Sequence, residues 1–214
     1  MSLLDNFTPD KLFAGNTFPV VTETGIVIGT HSRGTILGKI LKGAVTSMAD
    51  EDNTGDGAVT QLAIGQAAKV GDYVVTCITA PTVASANNAK FSVVSPDGEQ
   101  MVNATQGVAY ASNQVNFIIG NATEADFVVG DKFIITVAAG SEKYTNVSRA
   151  AVDGSDVPYA ILAEDIVGST DGAVGVLYMS GEFNEDALIV PEGETVASYK
   201  GDLRKIGIFL KSLD

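Results

Sequence analysis

Short apolar runs separated by turn signals recur along most of this chain, and their length and the turns that bound them predict strands. Runs at 20–28, 36–41, 58–64, 72–79, 90–94, 100–103, 108–111, 114–119 and 132–137 carry the pattern, with turn signals between them such as Ser95-Pro-Asp-Gly98. Residues 147–152, 158–163, 172–181 and 187–190 add four more, the last three with the length of buried strands. Gly25 is expected to interrupt the first run. The period then changes once. Val196, Tyr199, Leu203 and Ile206 recur three and four residues apart, so they line one face of a helix whose other face carries Lys200, Asp202, Arg204 and Lys205. Thr195 is its expected N-cap, Gly207 its stop, and residues 208–210 return as a final strand.

Two breaks in texture divide this series. Residues 49–57 (ADEDNTGDG) are acidic and glycine-bearing and read as a solvated linker, and residues 140–144 (GSEKY) as a second crossing. The strands between them recur every ten to twenty residues, as in a β-sandwich. Within them VGDYVVT at 70–76 and VGDKFIIT at 129–136 echo one another through shared turn chemistry, without making a repeat array. Residues 1–19 have apolar positions without a period, interrupted by Pro9 and Pro19. They read either as an arm that packs on its own domain or as one that orders only on a partner, with Leu3, Leu4 and Phe7 as anchors.

Composition narrows the function classes. The chain has 214 residues, enough for a core without metal or disulfides, and its 23 glycines with many Thr, Val and Ile residues favour a mainly β fold. A net charge of −13 repels phosphate backbones, which argues against nucleic acid. No apolar run reaches the ~20 residues of a membrane helix, and MSLLDNFTPD has no basic segment followed by an apolar core, so neither a membrane span nor a signal peptide is expected. The single cysteine, Cys77, shares a strand face with Tyr73 and Val75 and reads as a buried, inert thiol.

Candidate chemistry is sparse. Asp50, Asp52, Thr54, Gly55 and Asp56 approach the early spacing of a calcium loop, but position twelve is Gln61 and an apolar run follows where a helix is wanted, so a linker is the preferred reading. His31, the only histidine, has no nucleophile or second ligand near it in sequence and reads as a loop residue. Glu182, Glu185 and Asp186 are the best acid/base candidates, and a solvated acidic turn explains them more simply. No phosphate loop, nucleophile elbow, zinc helix or Cys-x-x-Cys pair occurs, so neither an enzyme nor a cofactor is expected.

Five segments taken in order resemble the bacteriophage head decoration protein family of the lambda protein D type: RGTILG at 33–38, AAVDGSD at 150–156, AILAED at 160–165, GEFN at 181–184 and LRKIGIFL at 203–210. The resemblance covers roughly residues 1–48 and 140–214. It implies a small mainly β decoration domain with one C-terminal helix, split into 20–49 and 139–214 behind an arm at 1–19, and interrupted by an inserted sandwich, Ig-like or similar, at 50–138. It further implies a homotrimer on the outer surface of the virion capsid, bound to the major capsid protein of the expanded head and stabilising it against internal DNA pressure. The arm would supply the capsid contact, through Ser2, Leu3, Leu4, Asp5, Asn6 and Phe7. The insert would project outward as a knob. An alternative is a displayed adhesin whose sandwich recognises a host-surface glycan or protein. A secreted β-rich binding protein outside any virus is the weakest reading, given the absent signal peptide.

Overall fold

Most of these runs are strands in a computed structural model that describes residues 10–84, 86–168 and 170–213. In chain order the strands are β1 (Val21–Val27), β2 (Thr30–His31), β3 (Ile36–Lys39), β4 (Lys42–Ala49), β5 (Val59–Ile64), β6 (Gly71–Thr79), β7 (Lys90–Val94) and β8 (Ala104–Thr105). They continue as β9 (Val115–Ile119), β10 (Lys132–Ala139), β11 (Tyr144–Asn146), β12 (Pro158–Leu162), β13 (Ile166–Val167), β14 (Ala173–Asn184) and β15 (Ile208–Lys211), with a short helix α1 (Lys200–Lys205) before the last. The fold is mainly β, and it divides into two compact units: the chain up to Ile40 with the chain from Glu142, and Leu41–Ser141 between them.

In the first unit, β1 pairs with β14, β14 with β12, β12 with β3, β3 with β11, and β11 returns to β1 at Val27, so the strands form a small ring to which β15 adds in parallel along the end of β14. Its continuous apolar runs follow from two cores. Leu37, Ala160 and Leu162 point into the ring with Val27 and Leu177, while their neighbours Ile36 and Ile161 point the other way, against Tyr199 and Leu203 of the helical segment and Ile208 of β15. A strand buried on both faces shows no alternation, which is why 158–163 reads as an unbroken apolar stretch. The helix ends at Gly207 as its spacing predicts, but it is shorter than expected: a 3-10 turn at Val196–Ser198 precedes α1, and Thr195 makes no side-chain cap.

Three expectations in this unit change. β1 runs through Gly25 without a break, because the glycine makes room for the Tyr144 ring, whose Cε2 would lie 2.5 Å from an added Cβ. The third strand at 187–190 reduces to a 3-10 turn, Glu185–Ala187, followed by one parallel bridge from Ile189 to Thr35. The strand expected at 147–152 lies earlier, at β11, where residues 144–146 pair with β3.

The second unit has a five-stranded antiparallel sheet, β4-β10-β6-β7-β8, and a two-stranded one, β5-β9. Tyr73, Val75 and Cys77 of β6, Phe91 and Val93 of β7, and Phe133, Ile135 and Val137 of β10 point into one core that Val115, Phe117 and Ile119 of β9 complete. Period two is clean here because each sheet buries one face. Residues 100–103 and 108–111 contribute single bridges, at Gln100 and Tyr110, in place of the strands expected there. The unit also begins earlier than the texture suggests. β4 pairs along β10 from Ala49 to Lys42, so residues 41–49 belong to this unit and not to the first.

The acidic stretch at 50–56 is likewise no linker between units. Asp131, 3% exposed, accepts backbone N–H groups from Thr54 and Gly55, both at 2.9 Å, and from Val128 at 3.0 Å. Asn53 and Lys132 exchange two further bonds, at 2.8 and 2.6 Å. The stretch is a turn sewn into its own sandwich.

Candidate functional site

The six residues expected to contact a capsid, Ser2, Leu3, Leu4, Asp5, Asn6 and Phe7, lie outside the described residues. What the structure does define is the chain that follows them, from Asp10 onward. Asp10 accepts a two-pronged bond from the Arg33 guanidinium, at 2.9 and 2.6 Å, and a third from the Leu12 N–H at 3.0 Å. The Arg33 bond is the main reason its carboxyl titrates below the ordinary range. Asp10 in return raises the guanidinium. Arg33 is itself fixed: its Nε donates to the Ala163 carbonyl at 3.0 Å, and its backbone N–H donates to Asp165 Oδ1 at 2.7 Å.

Beyond the clamp the chain lies along the end of β14. Phe13 bridges Phe183 in antiparallel sense, the Asn184 N–H donates to the Leu12 carbonyl at 2.8 Å, and the Ala14 N–H donates to the Glu182 carbonyl at 3.0 Å. Leu12 is buried in the core beside Ile36 and Phe183, and the Phe13 ring lies 5.2 Å from both Tyr178 and Phe183. Phe18 then stacks on Phe209 at 4.2 Å. Residues 10–19 therefore pack on their own unit, which is one of the two readings of residues 1–19 and corrects the arm's boundary.

Glu182 is the second correction. The expected solvated turn is instead a buried carboxylate, 3% exposed, that receives Lys211 Nζ at 2.6 Å and the Thr17 N–H at 2.9 Å. Those two donors, Lys211 first, hold its pKa below the usual value. Glu185 pairs with Lys200 at 2.6 Å, and Asn184 caps the 3-10 turn by accepting the Asp186 N–H at 3.2 Å. Glu182 and Glu185 thus hold separate ion pairs, and Asp186 Oδ2 faces Ser212 Oγ at 3.5 Å. Sequence spacing could not show this, because Lys211 approaches Glu182 only through the parallel pairing of β15 with β14.

The remaining candidates are placed as follows. His31 Nε2 lies 2.8 Å from the Ile28 carbonyl oxygen, in the two-residue strand β2. Cys77 is 1% exposed, and burial pushes its thiol pKa up. Asp50 pairs with Lys132 at 3.0 Å. Asp56 accepts Thr123 N–H and Oγ1 and Glu124 N–H, the hydroxyl first in effect, which brings its pKa down to about 2. Among the described residues no three His, Cys, Asp or Glu side chains are placed to share a metal ion.

Acid should unfold both units through these carboxylates. Asp10, Glu182, Glu194 and Asp202 in the first unit, and Asp50, Asp56 and Asp97 in the second, all titrate lower when folded. The unfolded chain therefore takes up more protons as pH falls, so their stabilisation is full above the ordinary values of 3.8 and 4.5 and is lost on the way to about 2. Relief of self-repulsion in a chain of net charge −13 acts the other way until the pI near 4.3. The urea midpoint is expected to stay level down to about pH 5 and to drop below pH 4; a midpoint that is higher at pH 3 than at pH 6 would contradict this assignment.

The class defined so far is a mainly β chain of two units, one carrying a clamped N-terminal segment. No protein-family model matches the chain, and no curated protein matches it. Two crystal structures of Xanthomonas campestris FlgL, in space groups H3 and C2, align over 51% of this chain at 19% and 20% identity, with TM-scores of 0.33 and 0.32. The aligned part spans 34% and 33% of that protein's length, and a likeness this slight carries no argument about fold or function.

Proposed function

We propose that this chain is a capsid decoration protein that binds the outside of an expanded phage head as a homotrimer and stabilises it. One observation supports the reading: the five segments that resemble head decoration proteins interlock within a single unit, around the root of the N-terminal arm. Arg33 of the first segment holds Asp10 and reaches Ala163 and Asp165 of the third. Gly38 lies so close to Ser155 of the second that an added Cβ would sit 2.3 Å from its carbonyl oxygen. Phe183 of the fourth and Leu203, Ile208 and Leu210 of the fifth share one core with Leu12. A short extended arm on a repeating lattice gains main-chain bonds by strand addition, and many copies multiply a weak contact.

The arm's described root sets the test. Removing residues 1–9 leaves Asp10, Leu12 and Phe13 in place, so the thermal unfolding midpoint should stay unchanged while co-sedimentation with expanded shells is lost. Retained co-sedimentation overturns the capsid-binding role of residues 2–7. A truncation reaching Asn16 would not discriminate, since it also strips Leu12 from the core.

A further inference from the structure

The strongest unassigned feature is the outer edge of β1. Opposite Thr24 on β14 lies Val176, whose N–H donates to Glu164 Oε1 at 2.9 Å and whose carbonyl accepts the Ala163 N–H at 2.9 Å. Both main-chain groups of Val176 thus turn away from β1. Facing residues of an antiparallel pair either exchange both bonds or exchange neither, so the N–H and C=O of Thr24 turn away from β14 as well, and by alternation so do those of Thr22 and Ile26. The next residue of the same parity, Ile28, donates its N–H to the Tyr144 carbonyl at 2.8 Å, which marks this as the β11 side.

Yet β11 meets β1 only at Val27. Its preceding residues bond to Ile40 instead: Glu142 N–H to the Ile40 carbonyl at 3.0 Å, and Ile40 N–H to the Lys143 carbonyl at 2.9 Å. Among the described residues no strand lies beside Thr22–Gly25 on that side. The parallel bridge at Val27 takes the Ile26 carbonyl, onto which the Tyr144 N–H is directed, so among the described residues five backbone groups face an open edge, both of Thr22 and of Thr24 and the Ile26 N–H, and Val21 and Ile26 are 48% and 43% exposed. Natural edges of this kind are blunted by lysine, proline or a bulge that twists the edge away. From Thr22 to Val27 this one has none of these, and its residues are largely β-branched. Its single charge is Glu23, which forms no ion pair among the described residues.

We propose that the β1 edge is a docking site for an extended segment of a partner protein, added as a further strand, with a lysine or arginine opposite Glu23 and β-branched residues opposite Thr24 and Ile26. The backbone supplies the affinity and Glu23 the choice of charge, a choice that the chain's net charge of −13 reinforces. This proposal does not depend on the capsid reading.

The test uses the full chain, amide hydrogen exchange, and an end-capped eight-residue peptide that alternates valine and threonine around one central lysine. In the free chain the amides of Thr22, Thr24 and Ile26 should exchange fast and those of Glu23, Gly25 and Val27 slowly. Saturating peptide should slow the first three by about tenfold or more, a one-in-two pattern that only strand addition produces. A peptide with glutamate in place of the lysine should bind about tenfold more weakly. Thr24→Pro removes an outward N–H without touching the β14 ladder and should abolish binding at an unchanged unfolding midpoint. A peptide N-methylated on its edge-facing amides should fail equally, with no change to the protein. The proposal is overturned if the three amides are already protected in the dilute free chain, if their protection rises with protein concentration and so reports a second copy, if the peptide leaves them fast, or if both peptides bind alike.

Discussion

Phe183→Ala is expected to cost the first unit about 3–5 kcal/mol, the range for truncating a large core aromatic. Phe183 is fully buried, packs with Leu12, Ile36 and Leu203, and sets its ring 5.2 Å from Phe13 and 5.5 Å from Tyr178. It is also the residue that Phe13 bridges, so the cavity opens beneath the arm root. Urea denaturation followed by hydrogen exchange would report the units separately. Residues 12–14 should lose protection first, and the Leu41–Ser141 unit should keep its midpoint. A loss below about 1 kcal/mol, or an equal loss in both units, would contradict this account of the core.

Asp131→Ala should have an effect in the second unit as large as that of a core truncation, about 4 kcal/mol. Three backbone N–H groups, from Thr54, Gly55 and Val128, converge on this one buried carboxylate. Bonds to a charged acceptor contribute about 1.5–3 kcal/mol each, and the stranded donors add their own desolvation cost, which partial rehydration at the turn offsets. Asp131→Asn keeps one acceptor oxygen and should fall between the two. The decisive measurement is amide exchange at 54, 55 and 128: all three should accelerate together in the alanine variant, and if they do not, the carboxylate is not what holds the turn.

These two residues also show the limits of sequence. Phe183 lies past the 172–181 run, in the stretch read as a solvated acidic turn, and its burial follows only from the continuation of β14 to Asn184. Tyr73, Val75 and Cys77 were legible, because their alternation gives strand, face and burial at once. Asp131 was legible only as a turn residue. Its likeness to Asp72 in the echoed Val-Gly-Asp stretches is local: Asp72 is exposed and accepts a bond from Thr136 Oγ1 at 2.7 Å, whereas Asp131 is an interior anchor.

What stayed hidden involves partners far apart in the chain. The acidic run at 50–56 resembles a linker because the groups that hold it lie more than sixty residues onward, at 123–132. β4 looks like part of the preceding domain because its exposure is nearly continuous after Val45, and its one buried charge, Lys42, is stabilised by the Gln66 carbonyl at 2.6 Å. Asp10 and Arg33 are common surface residue types whose pairing no spacing rule predicts, and the arm root is positioned by that pair.

The way the chain leaves and re-enters the first unit has a further meaning. Ile40 is bonded on both its N–H and its carbonyl to residues 142–143, and in the second unit the Leu41 carbonyl accepts the Gly140 N–H at 2.9 Å. The two ends of the intervening chain are thus already zipped together where they cross. To the ring of strands, everything from Leu41 to Ser141 is a loop closed at its base, and loop-closure entropy grows only slowly with length once the base is fixed. The crossing is therefore a natural grafting point, where the inserted chain could be exchanged for another module or for a tight turn with little consequence for the fold that carries the arm.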